Sequence, residues 1–83
     1  MSLERLSRAH KKTVGSKQTL KAIEHDQAKV VYVARNAERH VTDPIIRACS
    51  AKSVPVIMVE SMQALGKACG IEVGCASTAI VEE

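Results

Sequence analysis

A chain of 83 residues with 46% hydrophobic content has room for one domain and one core, and it is too apolar to be disordered. No apolar run approaches the ~20 residues that cross a bilayer, and Met1-Ser2-Leu3-Glu4-Arg5 lacks the apolar stretch of a signal peptide, so a cytoplasmic protein with no membrane partner is expected. Six cations (Arg5, Arg8, Lys11, Lys12, Lys17 and Lys21) against Glu4 alone set residues 1–21 at +5, so the rest of a +3 chain sums to −2; such a basic end fits either a face that meets a polyanion or a solvated helix face.

Residues 2–12 place Leu3, Leu6 and His10 at spacings of three and four, with Arg5, Arg8 and Lys12 opposite, which predicts a short amphipathic helix. Thr13 and Val14 favour an extended link. Gly15 and Ser16 break the pattern, and a second helix is predicted over residues 16–26, capped by Ser16, with Leu20, Ile23 and Gln27 on its inner face. Residues 29–34 form a β-branched run too short for a helix, read as a buried central strand. Residues 36–42 are polar and read as a loop. Asp43-Pro44 then opens a third helix, because proline is preorganised for a first helical position and pushes its predecessor out of the α region. Ile45, Ile46 and Cys49 supply that helix's core contacts.

A second strand is expected over residues 54–59, with Pro55 at its start, where a missing donor is tolerated. Ser61 caps a helix carrying Ala64, Leu65, Ala68 and Cys69, and Gly70 ends it in a left-handed conformation. Residues 71–76 form a mostly apolar loop, and residues 77–81 a last strand. The strand–helix–strand unit requires a crossover and parallel pairing. The expected fold is one compact domain, a three-layer α/β/α sandwich around a small four-stranded mixed sheet.

Enzyme signatures are absent: there is no GxSxG, no HExxH and no phosphate loop, and the acidic residues are scattered. Cys49, Cys69 and Cys75 are odd in number and have no histidine at ligand spacing, so they read as small buried hydrophobes, with no metal and no cofactor expected. Tyr32 is the only aromatic and falls in the buried strand, which closes the route of reading single strands by stacking. Nucleic-acid binding would then rest on charge, helix termini and shape. Gly15, Ser16, Lys17, Gln18 and Lys21 suit that task, since a helix start offers unpaired N–H groups beside polar side chains on one face. Taken alone they fit an ordinary capped helix equally well. The loop of Ile71, Glu72, Val73, Gly74, Cys75 and Ala76 is either tucked into the core or exposed for contact.

Together these segments resemble the family of kink-turn-binding ribosomal proteins, small α/β/α sandwiches of ribosomes, small nucleolar RNPs and the spliceosome. The family's Gly-x-Asn-Glu-x-x-Lys helix start appears as Gly15-Ser16-Lys17-Gln18-Thr19-Leu20-Lys21, its strand ending in Ala as Val30 to Ala34, its Val-Pro strand as Val54-Pro55-Val56, and its helix end as Leu65-Gly66-Lys67-Ala68-Cys69-Gly70. The likeness runs over about residues 13–81 and leans to the short bacterial ribosomal-protein-like members. It implies a non-enzymatic protein, expected to be monomeric, that binds a kink-turn in ribosomal, riboswitch-like or other structured RNA, with the ribosome among its expected partners. It further implies that Gly15 and Ser16 allow close backbone approach, that Lys17 faces guanine acceptors or phosphate, Gln18 a guanine edge and Lys21 the RNA backbone. The loop of residues 71–76 would pack on the turn's loop nucleotides, and Asp43, Arg47 and Met62 would wall a pocket for an extruded nucleotide. Lys17 and Gln18 replace the family's Asn and Glu. The alternative left open is a protein–protein adaptor that uses the apolar loop.

Overall fold

The computed structural model describes residues 3–83. In chain order the elements are α1 (Glu4–Arg8), β1 (Lys11–Lys12), α2 (Ser16–Glu24), β2 (Val30–Ala34), α3 (Arg39–Lys52), β3 (Val56–Val59), α4 (Met62–Ala68) and β4 (Ser77–Glu82). The strands lie in the order β1-β4-β2-β3. β2 and β3 are parallel, as the intervening helix requires, and β4 runs antiparallel to both β1 and β2. The expected mixed four-stranded sheet is therefore present.

β2 lies inside the sheet and is buried at every position. Alternation sends Val30, Tyr32 and Ala34 to one face, where they meet Leu6 of α1 and Leu65 of α4. Val31 and Val33 face the other way, onto Ile23 of α2 and Ile45 and Cys49 of α3. A continuous apolar run is what a strand covered on both faces needs, and it makes the three layers.

Several sequence expectations are corrected. The first helix stops at Arg8 rather than Lys12, because Ala9 turns extended (φ −59°, ψ 135°) and the chain is taken up by the free edge of β4, with Lys11 opposite Glu82. His10 is consequently exposed, and the expected start at Ser2 lies outside the described residues. Edge pairing overrides a helical periodicity that only three residues supported. Ser16 does not cap α2: Gly15 holds the cap position, and Gln27 lies beyond the helix and is exposed.

The third helix starts five residues before Pro44. Glu38 is extended, and its carbonyl accepts from the N–H groups of Val41 and Thr42 at 3.0 and 3.2 Å. Thr42 is buried and anchors this first turn on the core, so Pro44 falls inside the helix, where it cannot donate to the His40 carbonyl. Finally, Ile46 is 37% exposed, because Ile45 and Cys49, one turn apart, already occupy the inward stripe.

Candidate nucleic-acid interface

The helix start is held by the first residues of β4. Thr13 donates its N–H to the Ala79 carbonyl at 2.9 Å, and its Oγ1 accepts from the Ala79 N–H at 3.0 Å while meeting Thr19 Oγ1 at 2.8 Å. The Thr13 carbonyl accepts from the Thr78 hydroxyl. Residues 13–14 thus extend the pairing along β4 and deliver the chain to Gly15. There the N–H donates to the Ser77 carbonyl at 3.1 Å, with φ +95° and ψ 155°. Only glycine adopts that conformation without strain. A side chain added at Gly15 would meet nothing within 4 Å, so backbone conformation, not space within the fold, calls for glycine.

Helical bonding begins when Thr19 donates to the Gly15 carbonyl at 3.0 Å, leaving the N–H groups of Ser16, Lys17 and Gln18 ahead of the first intrahelical bond. Ser16 turns its hydroxyl to Ser77 Oγ at 3.0 Å. Lys17, Gln18 and Lys21 are exposed, and the first turn holds no acidic residue.

The loop of residues 71–76 ends where this helix begins, since Ala76 leads directly into Ser77. Its path depends on Gly66: a Cβ there would lie 2.1 Å from the Val73 carbonyl oxygen, so the loop backbone rests directly on α4. The Ile71 N–H donates to the Gly66 carbonyl and the Cys75 N–H to the Met62 carbonyl, each at 3.0 Å. The loop divides between the two readings of its apolar character. Ile71 is half-buried against the core and Cys75 is buried in it. Glu72, Val73 and Gly74 face outward, with Val73 70% exposed, and Ala76 is intermediate.

Two other contributors lie at the same end of the sheet and carried no readable motif. Asn36 Oδ1 accepts from the Met62 N–H at 2.8 Å, tying the end of β2 to the start of α4. Arg35 and Arg39, with Asp43, rim a depression of about 270 Å³ floored by Ala34, Ile46 and Met58. Of the three residues implied for a nucleotide pocket, Asp43 lines this depression and Arg47 and Met62 do not.

The basic N-terminal third does not form one face. Lys11 pairs opposite Glu82, while Gly15 sits at Ser77. Five residues of strand separate the two, about 16 Å. Arg5 donates from Nε to Glu83 Oε1 at 3.1 Å, Arg8 pairs with Glu4 at 3.5 Å, and Lys12 Nζ donates to the Leu6 carbonyl at 3.3 Å. The Glu83 carboxyl is held below the usual range, first by that Arg5 hydrogen bond. Of the six cations, Lys17 and Lys21 belong to the helix that starts at Gly15. Arg35 follows Ala34, whose N–H donates to the Ala76 carbonyl next to Ser77, and Arg39 opens α3. Among the described residues no group of three or more His, Cys, Asp or Glu side chains is placed to hold a metal ion, and no helix is long and apolar enough to cross a membrane.

A three-layer sandwich with a glycine-led helix start beside a short outward loop defines a class of small ribosomal-protein-like domains. The chain belongs to the ribosomal protein L7Ae/L30e/S12e/Gadd45 family, whose pattern it matches over residues 2–83. It is 45% identical over 80 residues to an RNA-binding protein of Halalkalibacterium halodurans, covering 96% of this chain and 98% of that one. It is 41% identical over 81 residues to the RNA-binding protein YbxF of Geobacillus stearothermophilus, covering 98% and 99% of the two chains. A solved structure of a protein of unknown function from Bacillus halodurans superposes with a TM-score of 0.83 at 25% identity, covering 96% of this chain and 80% of that one.

Proposed function

We propose that this protein binds structured RNA without a chemical step, as a cytoplasmic bacterial monomer that recognises the shape of a kink-turn. The observation that carries the reading is the junction at Ser77, where the Gly15 N–H and the Ser16 hydroxyl fasten the helix start to the end of the exposed loop. Two segments far apart in sequence thereby form one rigid edge. Family membership and relatives named as RNA-binding proteins support it.

The mechanism follows from groove geometry. An A-form major groove is too deep and narrow for side chains to read, and a sharp kink opens it. The α2 start then enters, with its free N–H groups and partial positive charge facing phosphate or guanine acceptors. Lys17 supplies long-range attraction, Lys21 reaches the backbone one turn on, and the Gln18 amide meets a guanine edge. A glutamine accepts through a neutral oxygen, so this contact is about half as strong as a carboxylate's charge-assisted bond. Val73 and its neighbours cover the unpaired nucleotides of the turn. A kink-turn in a ribosome, a riboswitch or another structured transcript presents the same contacts.

The test is affinity for a kink-turn duplex against the same duplex with its sheared G·A pairs changed to Watson–Crick pairs, measured by titration calorimetry. A preference of about tenfold or more for the kink-turn is expected, the size of one lost base contact. Equal binding overturns shape recognition and leaves only generic electrostatics.

A further inference from the structure

One thiol immediately precedes helix-end Gly70 and loop 71–76, and a second lies within the loop but is buried in the core rather than exposed for contact. Cys69 closes α4, and Cys75 immediately precedes the Ala76-Ser77 junction. All three cysteines of the chain are free, and these two share one face of the sheet: Cys75 lies in the core cluster with Leu6, Tyr32 and Leu65, and Cys69 packs against that cluster. The fold brings them together by turning the loop back over α4, through the Ile71–Gly66 and Cys75–Met62 backbone bonds and the bare Cα of Gly66. The two thiols lie close enough that each is the largest influence on the other's ionisation. Cys75 Sγ also lies 3.0 Å from the Ser77 carbonyl, the same oxygen that receives the Gly15 N–H.

The two sulfurs are chemically unequal. The neighbouring Cys75, with lesser help from Thr78 and the Lys12 ammonium, holds the Cys69 thiol below its usual range against the opposing effect of burial. Cys75 is pushed up, first by Cys69 and then by burial. Cys69 is also the more accessible, since Cys75 is only 4% exposed. Thiolate character and access decide which sulfur reacts first.

We propose that Cys69 and Cys75 are a redox dithiol, oxidised by hydroperoxide to a reversible disulfide that reshapes loop 71–76. The Cys69 sulfur attacks one oxygen of hydrogen peroxide, the O–O bond breaks, and the departing hydroxide takes up the proton Cys69 released and leaves as water. The Cys75 sulfur then attacks the sulfenic sulfur, the S–O bond breaks, and the hydroxyl leaves as a second water with the Cys75 proton. Both sulfurs are oxidised and one peroxide is reduced. A disulfide needs its sulfurs about 2.0 Å apart, so the bond draws Cys75 toward α4 and away from the Ser77 carbonyl. Ser77 anchors both Gly15 and Ser16, so the helix start moves with it. The consequence for RNA rests on the proposed function; the dithiol itself does not.

The experiment treats the whole protein with hydrogen peroxide, alkylates remaining thiols, and maps the peptides by mass spectrometry with and without reductant. The expected product is a Cys69–Cys75 cross-link that reductant reverses, with Cys49 alkylated throughout. Cys49 is fully buried on the opposite face of the sheet, and burial pushes its thiol up, so it serves as an internal control. Alkylation of both Cys69 and Cys75 after peroxide, irreversible oxidation of Cys69 alone, or a cross-link through Cys49 overturns the proposal. In parallel, the oxidised protein is expected to bind a kink-turn duplex about fivefold or more weakly than the reduced one, a typical coupling between sites. The Cys69→Ser variant is expected to bind equally before and after peroxide. Equal affinity of the two wild-type forms overturns the link to the loop. If the reduced protein binds no kink-turn at all, the RNA reading falls while the peptide map still decides the dithiol.

Discussion

Tyr32 carries the only Phe, Tyr or Trp ring of the chain into the centre of the sheet, where its side chain is fully buried and its hydroxyl has no hydrogen-bond partner among the described residues. A buried hydroxyl without a partner costs about 1–3 kcal/mol of desolvation. Burial also raises its pKa, with Arg5 opposing. Tyr32→Phe keeps the ring and removes that cost, so urea denaturation should show stability unchanged or increased; a loss above about 1 kcal/mol would mean that the hydroxyl is satisfied. At the candidate interface, single side chains have separable roles. Lys17→Ala and Lys21→Ala should each reduce the slope of log affinity against log salt by about one, the signature of a lost phosphate contact. Gln18→Ala should leave that slope intact and narrow the preference for a kink-turn over its Watson–Crick control. Unchanged discrimination would remove Gln18 from base reading.

At the scale of elements, the contact between α4 and the loop depends on one missing side chain. Gly66→Ala places a Cβ 2.1 Å from the Val73 carbonyl, a backbone atom that cannot swing aside. The loop must lift, at a cost of about 1–3 kcal/mol, and both the melting temperature and RNA affinity should fall. Val73→Asp probes the same loop from outside. Val73 is 70% exposed, so the charge should leave the melting temperature nearly unchanged and weaken RNA binding by repelling phosphate. A collapse of stability in Val73→Asp would mean that the side chain belongs to the core. The pair distinguishes what the loop does for the fold from what it does for RNA.

Across the whole molecule, the chain's ends are joined far from the candidate interface. Arg5 of α1 donates to both carboxylate oxygens of Glu83, just beyond β4. That pairing lowers the Glu83 pKa in the folded state, so its contribution is present above the unfolded carboxyl value near ~4.3 and disappears as pH falls through the folded value. Glu83→Gln should therefore melt slightly below wild type at pH 7, and the difference should close on acidification. The effect is small because both side chains are about half exposed. Melting curves across that pH range check it. RNA affinity at pH 7 should not change, since this clasp sits at the opposite end of β4 from Ser77.

The sequence alone determined whatever neighbouring residues decide. The β-branched run of β2 could only be a buried strand, Ser61 accepts from the Ala64 N–H as its position required, and Gly70 has the positive φ expected of a helix end. The family's motif order was equally legible, because it is written in consecutive residues. Tertiary structure decided the rest. Lys11 and Lys12 joined a strand because the edge of β4 needed hydrogen bonds, and α3 began early because Thr42 found a core to enter. Charge counted along the chain fitted either one basic face or a solvated helix; the antiparallel pairing of β1 with β4 set Lys11 opposite Glu82, away from the Ser77 junction. The role of Gly66, the meeting of Cys69 with Cys75, and the joining of helix start to loop at Ser77 each depend on contacts between residues distant in the chain or on a turn whose path such contacts fix. No local pattern encodes them.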